Sequence, residues 1–217
     1  MEESDHLLTA DQVNTSLVYL RMKRLIDIIG SLFGLIILSP VFFVVAILIK
    51  IEDPKGPVLF KQVRIGKDES EFHMYKFRSM VTDAEERLTD LLNLNQVSGS
   101  MFKMKNDPRV TKIGKFIRKT SIDELPQLWN VFKGEMSLVG PRPPLLREVS
   151  EYTSYQMQRL LVTPGCTGIW QATARNSVGF KEMVEMDLYY IRNRSILFDL
   201  KIIFQTVIVL FGSKNAF

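Results

Sequence analysis

The chain has 217 residues, 46% hydrophobic and 24% charged, which suits one domain with a sizeable core and argues against disorder along its length. Its 28 Lys and Arg against 24 Asp and Glu leave a formal charge of +4, enough to favour an anionic lipid surface or phosphate-bearing ligands and too weak to argue for nucleic acid. One cysteine, Cys166, excludes an intrachain disulfide and a cysteine-rich zinc site, and two histidines, His6 and His73, disfavour a histidine metal cluster.

Residues 1–20 are polar and read as a loose tail or a short surface helix. From Leu25 to Ile49 the chain runs LIDIIGSLFGLIILSPVFFVVAILI, with Asp27 its one charge. As a single helix it measures roughly 37 Å, enough to cross a bilayer core of about 30 Å. A cleaved signal peptide fits poorly, because the run starts after Arg21, Lys23 and Arg24 and no small-residue cleavage site follows. Proline lacks an amide donor and its ring collides with the preceding turn, so Ser39-Pro40 predicts a kink. The halves Leu25–Leu38 and Val41–Ile49 then reach roughly 21 and 14 Å, and neither crosses alone. Basic residues flank both ends, Arg21, Lys23 and Arg24 before and Lys50, Lys55, Lys61 and Arg64 after, so the positive-inside preference assigns no direction. Two readings stand: a helix that enters one leaflet, bends and returns, and a kinked spanning helix. Gly30-Ser31-Leu32-Phe33-Gly34 has the small-xxx-small spacing that lets helices approach, either a second copy in a homodimer or the other half of the bent helix.

After a turn cluster at Asp53-Pro54-Lys55-Gly56-Pro57, VLFKQVRIG and EFHMYKFRSM form a hairpin pattern around Gly-Lys-Asp-Glu. A helix is predicted from Thr82 to about Leu94, with Thr82 and Asp83 as caps, and a short basic helix over Val110–Lys119. Ser121, with Glu124 three residues on, opens a helix from Leu125 to about Phe132, which Gly134 closes. Gly140-Pro141-Arg142-Pro143-Pro144 is extended or turned. Helices near Leu145–Leu161 and over Phe180–Asn193 flank a loop at Thr163-Pro164-Gly165. The last run, Ile196–Phe211, is apolar but interrupted by Asp199, Lys201, Gln205 and Thr206. At 16 residues it is short for a span and suits the membrane interface, with a buried core helix as the competing assignment. The fold class is α+β, mostly helical: a membrane helix broken at Ser-Pro, re-entrant or spanning, a small β-hairpin and amphipathic interfacial helices.

No G-x-S-x-G, P-loop, G-x-G-x-x-G or H-E-x-x-H is present, which leaves Asp123-Glu124 as the carboxylate pair of interest. A carboxylate can attack phosphorus to give an aspartyl-phosphate type intermediate. At a helix start Asp123 would stay ionised near the positive dipole end. Arg118, Lys119 and Arg142 are the nearby cations, and Glu124 could help hold Mg²⁺, which prefers oxygen ligands. The plainer alternative is an ordinary capping box of Ser121 and Glu124, with the basic residues at 112–119 a solvated surface.

Three ordered stretches, KRLIDIIGSLFGLIILSP, GPVLFKQVRIGKDESEFHMYKFRSM and NDPRVTKIGKFIRKTSIDELPQLWNVFKGEMSLVGPRP, resemble the bacterial sugar transferases, the monotopic phosphoglycosyl transferases that act on polyprenyl phosphate. TPGCTGIWQATAR and DLYYIRNRSILFDLKIIFQT are similar to the family's C-terminal pattern, so the resemblance covers roughly residues 20–212. It implies a two-step transfer of hexose 1-phosphate from a UDP-sugar, with UMP released and the phosphosugar held on an aspartate before polyprenyl phosphate takes it. By motif the resemblance makes Asp123 the nucleophile and Glu124 its partner acid, together the Mg²⁺ ligands. Arg118, Arg142, Lys76, Arg78 and Arg175 become phosphate contacts. Family members use Mg²⁺, and the break at Ser39-Pro40 matches their re-entrant topology, with both termini on the cytoplasmic face of the bacterial inner membrane and membrane lipids as partners. The implied organisation is a tail over 1–20, the re-entrant helix over 21–51 and a catalytic domain over 52–217. Larger relatives carry further membrane helices, so a minimal form or an excised core is expected. Cys166 and Thr173-Ala174-Arg175 depart from the family pattern, and the alanine alters the backbone angles open to that loop. A non-catalytic scaffold that binds anionic lipid is the alternative, and it has no use for these ordered motifs.

Overall fold

The computed structural model describes residues 7–8, 12–91, 104, 106–174 and 178–212. Helix α1 (Leu17–Ile37) starts earlier than the apolar run, because the Ser16 hydroxyl accepts the Tyr19 N–H and caps it. Helix α2 (Ser39–Glu52) follows at an angle of 58°. The break falls at Leu38 for a local reason. Pro40 has no N–H for the Ile36 carbonyl, and the Ser39 hydroxyl donates to that oxygen instead, at 2.8 Å. Among the described residues no single helix is long and apolar enough to cross a membrane, whereas this bent pair has the length and composition to do so.

One side of α1 is a polar ladder that docks on the rest of the chain. Tyr19 and Lys23 reach Asp199 at 3.3 and 2.9 Å, and Lys23 also donates to the Val139 carbonyl at 3.0 Å. Arg24 donates to the Val131 and Phe132 carbonyls, both at 2.6 Å, neutralising the C-terminal end of helix α5 (Gln127–Lys133). Asp27 is buried and accepts from the Ser137 hydroxyl at 3.0 Å and the Leu138 N–H at 2.9 Å. Lys23 and Arg24 are therefore internal contacts rather than flanking charges, which corrects their use in the topology count. Gly30 and Gly34 are corrected as well. A Cβ on Gly30 would lie 2.7 Å from Leu138 Cδ1 and one on Gly34 2.9 Å from Leu128 Cδ1, so the small residues bring α1 onto α5 and the chain at Leu138. The opposite side of the pair leaves Leu25, Ile29, Phe33, Ile36, Phe43 and Ile47 exposed.

Strands β1 (Leu59–Ile65) and β2 (Glu71–Phe77) form the expected antiparallel hairpin, in register from Leu59↔Phe77 to Ile65↔Glu71. The predicted Thr82–Leu94 helix is shorter than expected: turns occupy 82–87, helix α3 is Leu88–Leu91, and residues 92–94 lie outside the described residues. Helix α4 (Lys112–Lys119) is capped by Thr111 and by the Glu52 carboxylate, which accepts the Lys112 and Ile113 N–H groups at 2.8 and 3.0 Å. Strand β3 (Ser137–Val139) pairs in parallel with β4 (Gly165–Thr167). The helix expected near Leu145–Leu161 is divided into α6 (Leu146–Val149), α7 (Ser154–Met157) and a 3-10 turn. Helices α8 (Ile169–Thr173), α9 (Phe180–Asn193) and α10 (Ile196–Gly212) complete the chain. The largest core cluster joins Val139 and Val162 to Leu188, Tyr190, Ile191 and Ile202. Helix α10 is a core helix on one side, burying Asp199 and Ile202, and leaves Leu197, Leu200, Phe204, Val207 and Ile208 exposed on the other.

Candidate active site

The hairpin supplies two cations from one face. Side chains alternate along a strand, so Arg64, Phe72, Met74 and Lys76 share a side, paired across the register as Arg64↔Phe72 and Phe60↔Lys76. Lys76 Nζ lies 2.6 Å from Glu124 Oε1. Arg64 is buried, held by the Pro143 carbonyl at 2.9 Å and by Gln62 Oε1 at 2.7 Å. Burial and the Arg142 charge lower its proton affinity to about 9, which leaves it a cation at neutral pH.

Asp123 and Glu124 lie in a 3-10 turn (Ile122–Glu124) ahead of α5. The predicted capping box does not form. Ser121 adopts left-handed angles, φ 57° and ψ 15°, and its side chain caps nothing, while Glu124 turns to Lys76. This strained, non-glycine backbone precedes the two acids, of which Glu124 lines the cleft and Asp123 is buried beside it. Asp123 is buried, and burial raises its carboxyl to about 6; the Glu124 charge adds to the rise, and Lys76 and Arg118 oppose it. Burial therefore outweighs the helix-start effect expected from the sequence. Burial also works against an ionised Glu124, but Lys76, Arg142 and Arg64 overcome it and hold that carboxyl at about 2. The two adjacent acids are thus pulled apart in proton affinity, a pattern typical of working sites.

Arg142 enters from the turn after β3. Its guanidinium stands 6.0 Å from the centre of the Trp170 ring, and the Arg159 guanidinium reaches its carbonyl at 3.4 Å. Arg159 is itself clamped by Asp187 at 2.7 Å, a buried pair behind the site. The strand pair beneath depends on two glycines: a Cβ on Gly165 would lie 2.0 Å from Gly140 N. Gly165→Ala is expected to destabilise the fold by about 3 kcal/mol, lowering the thermal unfolding midpoint by roughly 6–12 °C. A variant that melts with the wild type would show that the two backbones can separate.

The resulting cleft is lined by Arg64, Lys76, Glu124, Gln127, Arg142 and Gln171, with Cys166 at its wall. Burial raises the Cys166 thiol, keeping it protonated. Of the sequence-predicted residues, Lys76, Glu124 and Arg142 come together here, with Asp123 and Arg118 in electrostatic reach. Arg78 is directed elsewhere: its guanidinium binds the Asp53 carboxylate at 2.7 Å and the Asp53 carbonyl at 3.0 Å, anchoring the turn after α2. Gly56 makes that contact possible, since a Cβ there would overlap Arg78 Nη1. Arg175 lies outside the described residues. Arg64 and Gln171 were missed; the alternation of the hairpin carried a signal for Arg64, and nothing local carried one for Gln171.

A family profile described as bacterial sugar transferase matches residues 18–213. The chain is 50% identical over 199 residues to a galactosyl transferase, CpsE, of Streptococcus agalactiae, covering 90% of this chain and 43% of that protein. It is 44% identical over 203 residues to a UDP-glucose:undecaprenyl-phosphate glucose-1-phosphate transferase of Klebsiella pneumoniae, covering 90% and 41%. To an exopolysaccharide production protein, ExoY, of Rhizobium meliloti it is 37% identical over 199 residues, covering 90% and 88%. The chain thus spans about two-fifths of the first two relatives and most of the third. With the profile matching residues 18–213 of this chain and ExoY covered to 88% of its length, the chain belongs to the bacterial sugar transferase family.

Proposed function

We propose that this chain transfers a hexose 1-phosphate from a UDP-sugar to polyprenyl (undecaprenyl) phosphate, the first membrane step of surface polysaccharide or glycoconjugate synthesis. The observation that carries the reading is the buried Asp123 carboxylate beside Glu124, in a site where Lys76, Arg142 and Arg64 converge. A carboxylate nucleophile, cations for a diphosphate and an adjoining apolar surface are what such a reaction requires. An Oδ of Asp123 attacks the β-phosphorus, the bond from that phosphorus to the bridging oxygen breaks, and UMP leaves with the electron pair. The phosphosugar stays on Asp123 as an acyl phosphate. An oxygen of polyprenyl phosphate then attacks the same phosphorus, the acyl-phosphate bond breaks, and Asp123 returns as a carboxylate. Both nucleophiles are anions already, so no general base is needed. Arg142, steadied by Trp170, and Lys76 offset the charge of the transferring group.

Mg²⁺ fits this donor set. It takes one or two carboxylates and completes its shell with phosphate oxygens and water, and Asp123 and Glu124 offer two hard carboxylates. Among the described residues no group of three acids, histidines or cysteines gathers around a metal, so the diphosphate would have to supply the remaining ligands. When bound there, Mg²⁺ would neutralise charge on the diphosphate.

The released nucleotide tests the reading. UMP is expected with Mg²⁺, a UDP-sugar and polyprenyl phosphate; UDP would instead indicate sugar-to-sugar transfer.

The bent helix pair, with its exposed apolar outer side and the exposed side of α10, supports a re-entrant placement in the inner membrane with the catalytic region on the cytoplasmic face. Thr15→Cys and Lys55→Cys are then both expected to react with a membrane-impermeant maleimide in inverted vesicles and neither in intact spheroplasts. Labelling of one from each side would establish a crossing.

A further inference from the structure

Gln171 holds an unusual position in the cleft. Its Oε1 is buried and has no hydrogen-bond partner, while Lys76 pairs with Glu124 and Arg64 is held by Pro143 and Gln62. Gly168 makes room for it, because a Cβ there would lie 2.7 Å from that oxygen. A buried, unpaired carbonyl is costly to leave unsatisfied, so a position built to hold one fits a donor that arrives with a ligand. The residue beside it, Trp170, stacks on Arg142, so helix α8 presents one side chain to a phosphate-binding arginine and the next to the cleft.

The proposed function fixes what arrives. Glu124, Lys76, Arg142 and Gln171 line one cleft, and it is tight. The group within reach of an acceptor beside the β-phosphate is the one bonded to it, the hexose. The uracil lies beyond the α-phosphate and the whole ribose. We propose that Gln171 Oε1 accepts a hydrogen bond from a hydroxyl of the transferred hexose and so contributes to the choice of sugar. The inference rests on the phosphosugar-transfer reading but names a residue and a ligand group which that reading does not need.

A site that hydrogen-bonds a substrate hydroxyl rejects the analogue lacking it, because its own polar group is then left unpaired. The test uses the protein in nanodiscs with Mg²⁺, polyprenyl phosphate and UDP-glucose, UDP-galactose and their N-acetylated counterparts, followed by monodeoxy analogues of the best donor. In the wild type one deoxy analogue is expected to lose about tenfold to a hundredfold in kcat/KM. In Gln171→Leu and the near-isosteric Gln171→Met, the parent sugar should fall to the level of that analogue and the difference between them vanish. Inhibition by UMP, which carries the uridine and no hexose, should be unchanged. Equal losses on the parent and every analogue, total inactivity included, would overturn the proposal, as would weakened UMP inhibition, which would place Gln171 on the nucleotide. Failure of the wild type to release UMP from any UDP-sugar would instead remove the underlying reaction.

Discussion

Asp123→Asn is expected to lower UMP release by about 10⁴-fold or more, with the protein still folded and still binding donor. The amide preserves the shape and most hydrogen bonding of the carboxylate while removing its nucleophilic charge. It also relieves a buried acid, since burial is the main cause that raises Asp123 to about 6, so folding should not suffer. The adjacent Glu124 cannot readily substitute, because Lys76 holds its carboxylate at 2.6 Å. Rapid quench of the wild type with its donor, before lipid is added, should give a mass increase of one phosphosugar on the peptide containing Asp123. The variant should give none. An active variant, or an adduct on another residue, would remove Asp123 as the nucleophile.

Lys76→Met is expected to produce the second largest loss, about 10²- to 10³-fold in kcat/KM, with a displaced pH profile. Asp123 must be ionised to attack, so the free enzyme should lose activity as pH falls through about 6. Lys76 is the leading influence that lowers the Asp123 carboxyl and also the principal cation on Glu124. Without it the carboxyl rises further, so the acid limb should move upward and a smaller fraction of enzyme is competent at pH 7. A purely structural lysine would reduce activity without moving that limb. Measuring kcat/KM from pH 5 to 9 for both proteins separates the cases, and an unmoved acid limb would deny Lys76 its role beside Asp123.

The resemblance assigned Lys76, Arg78 and Arg142 alike to phosphate; Lys76 and Arg142 share a cleft with Glu124, whereas Arg78, two residues from Lys76, illustrates the limit of motif reading. Both belong to YKFRSM, yet Lys76 faces the cleft and Arg78 anchors the Asp53 turn. Capping rules were similarly incomplete. They predict a bond between Glu124 and the Ser121 backbone, which the nearby Lys76 outcompetes with a charged partner from a strand 48 residues away.

What the amino-acid order determined by itself is what acts over a few residues. Pro40 broke the apolar helix beside Leu38, the alternation after Pro57 formed the hairpin, and Gly134, at φ 91°, ended α5 where a left-handed residue was required. Tertiary structure alone decided which charges meet. Lys23, Arg24 and Asp27 looked like the edge and the flaw of a membrane segment, and became its dock on Asp199, α5 and β3, across more than 100 residues of chain. Gln171 looked like an ordinary helical amide until folding buried its oxygen beside Arg142. The reason is physical: backbone angles and capping are fixed by neighbours in sequence, whereas desolvation and charge pairing depend on which distant groups the packed fold brings within a few ångströms.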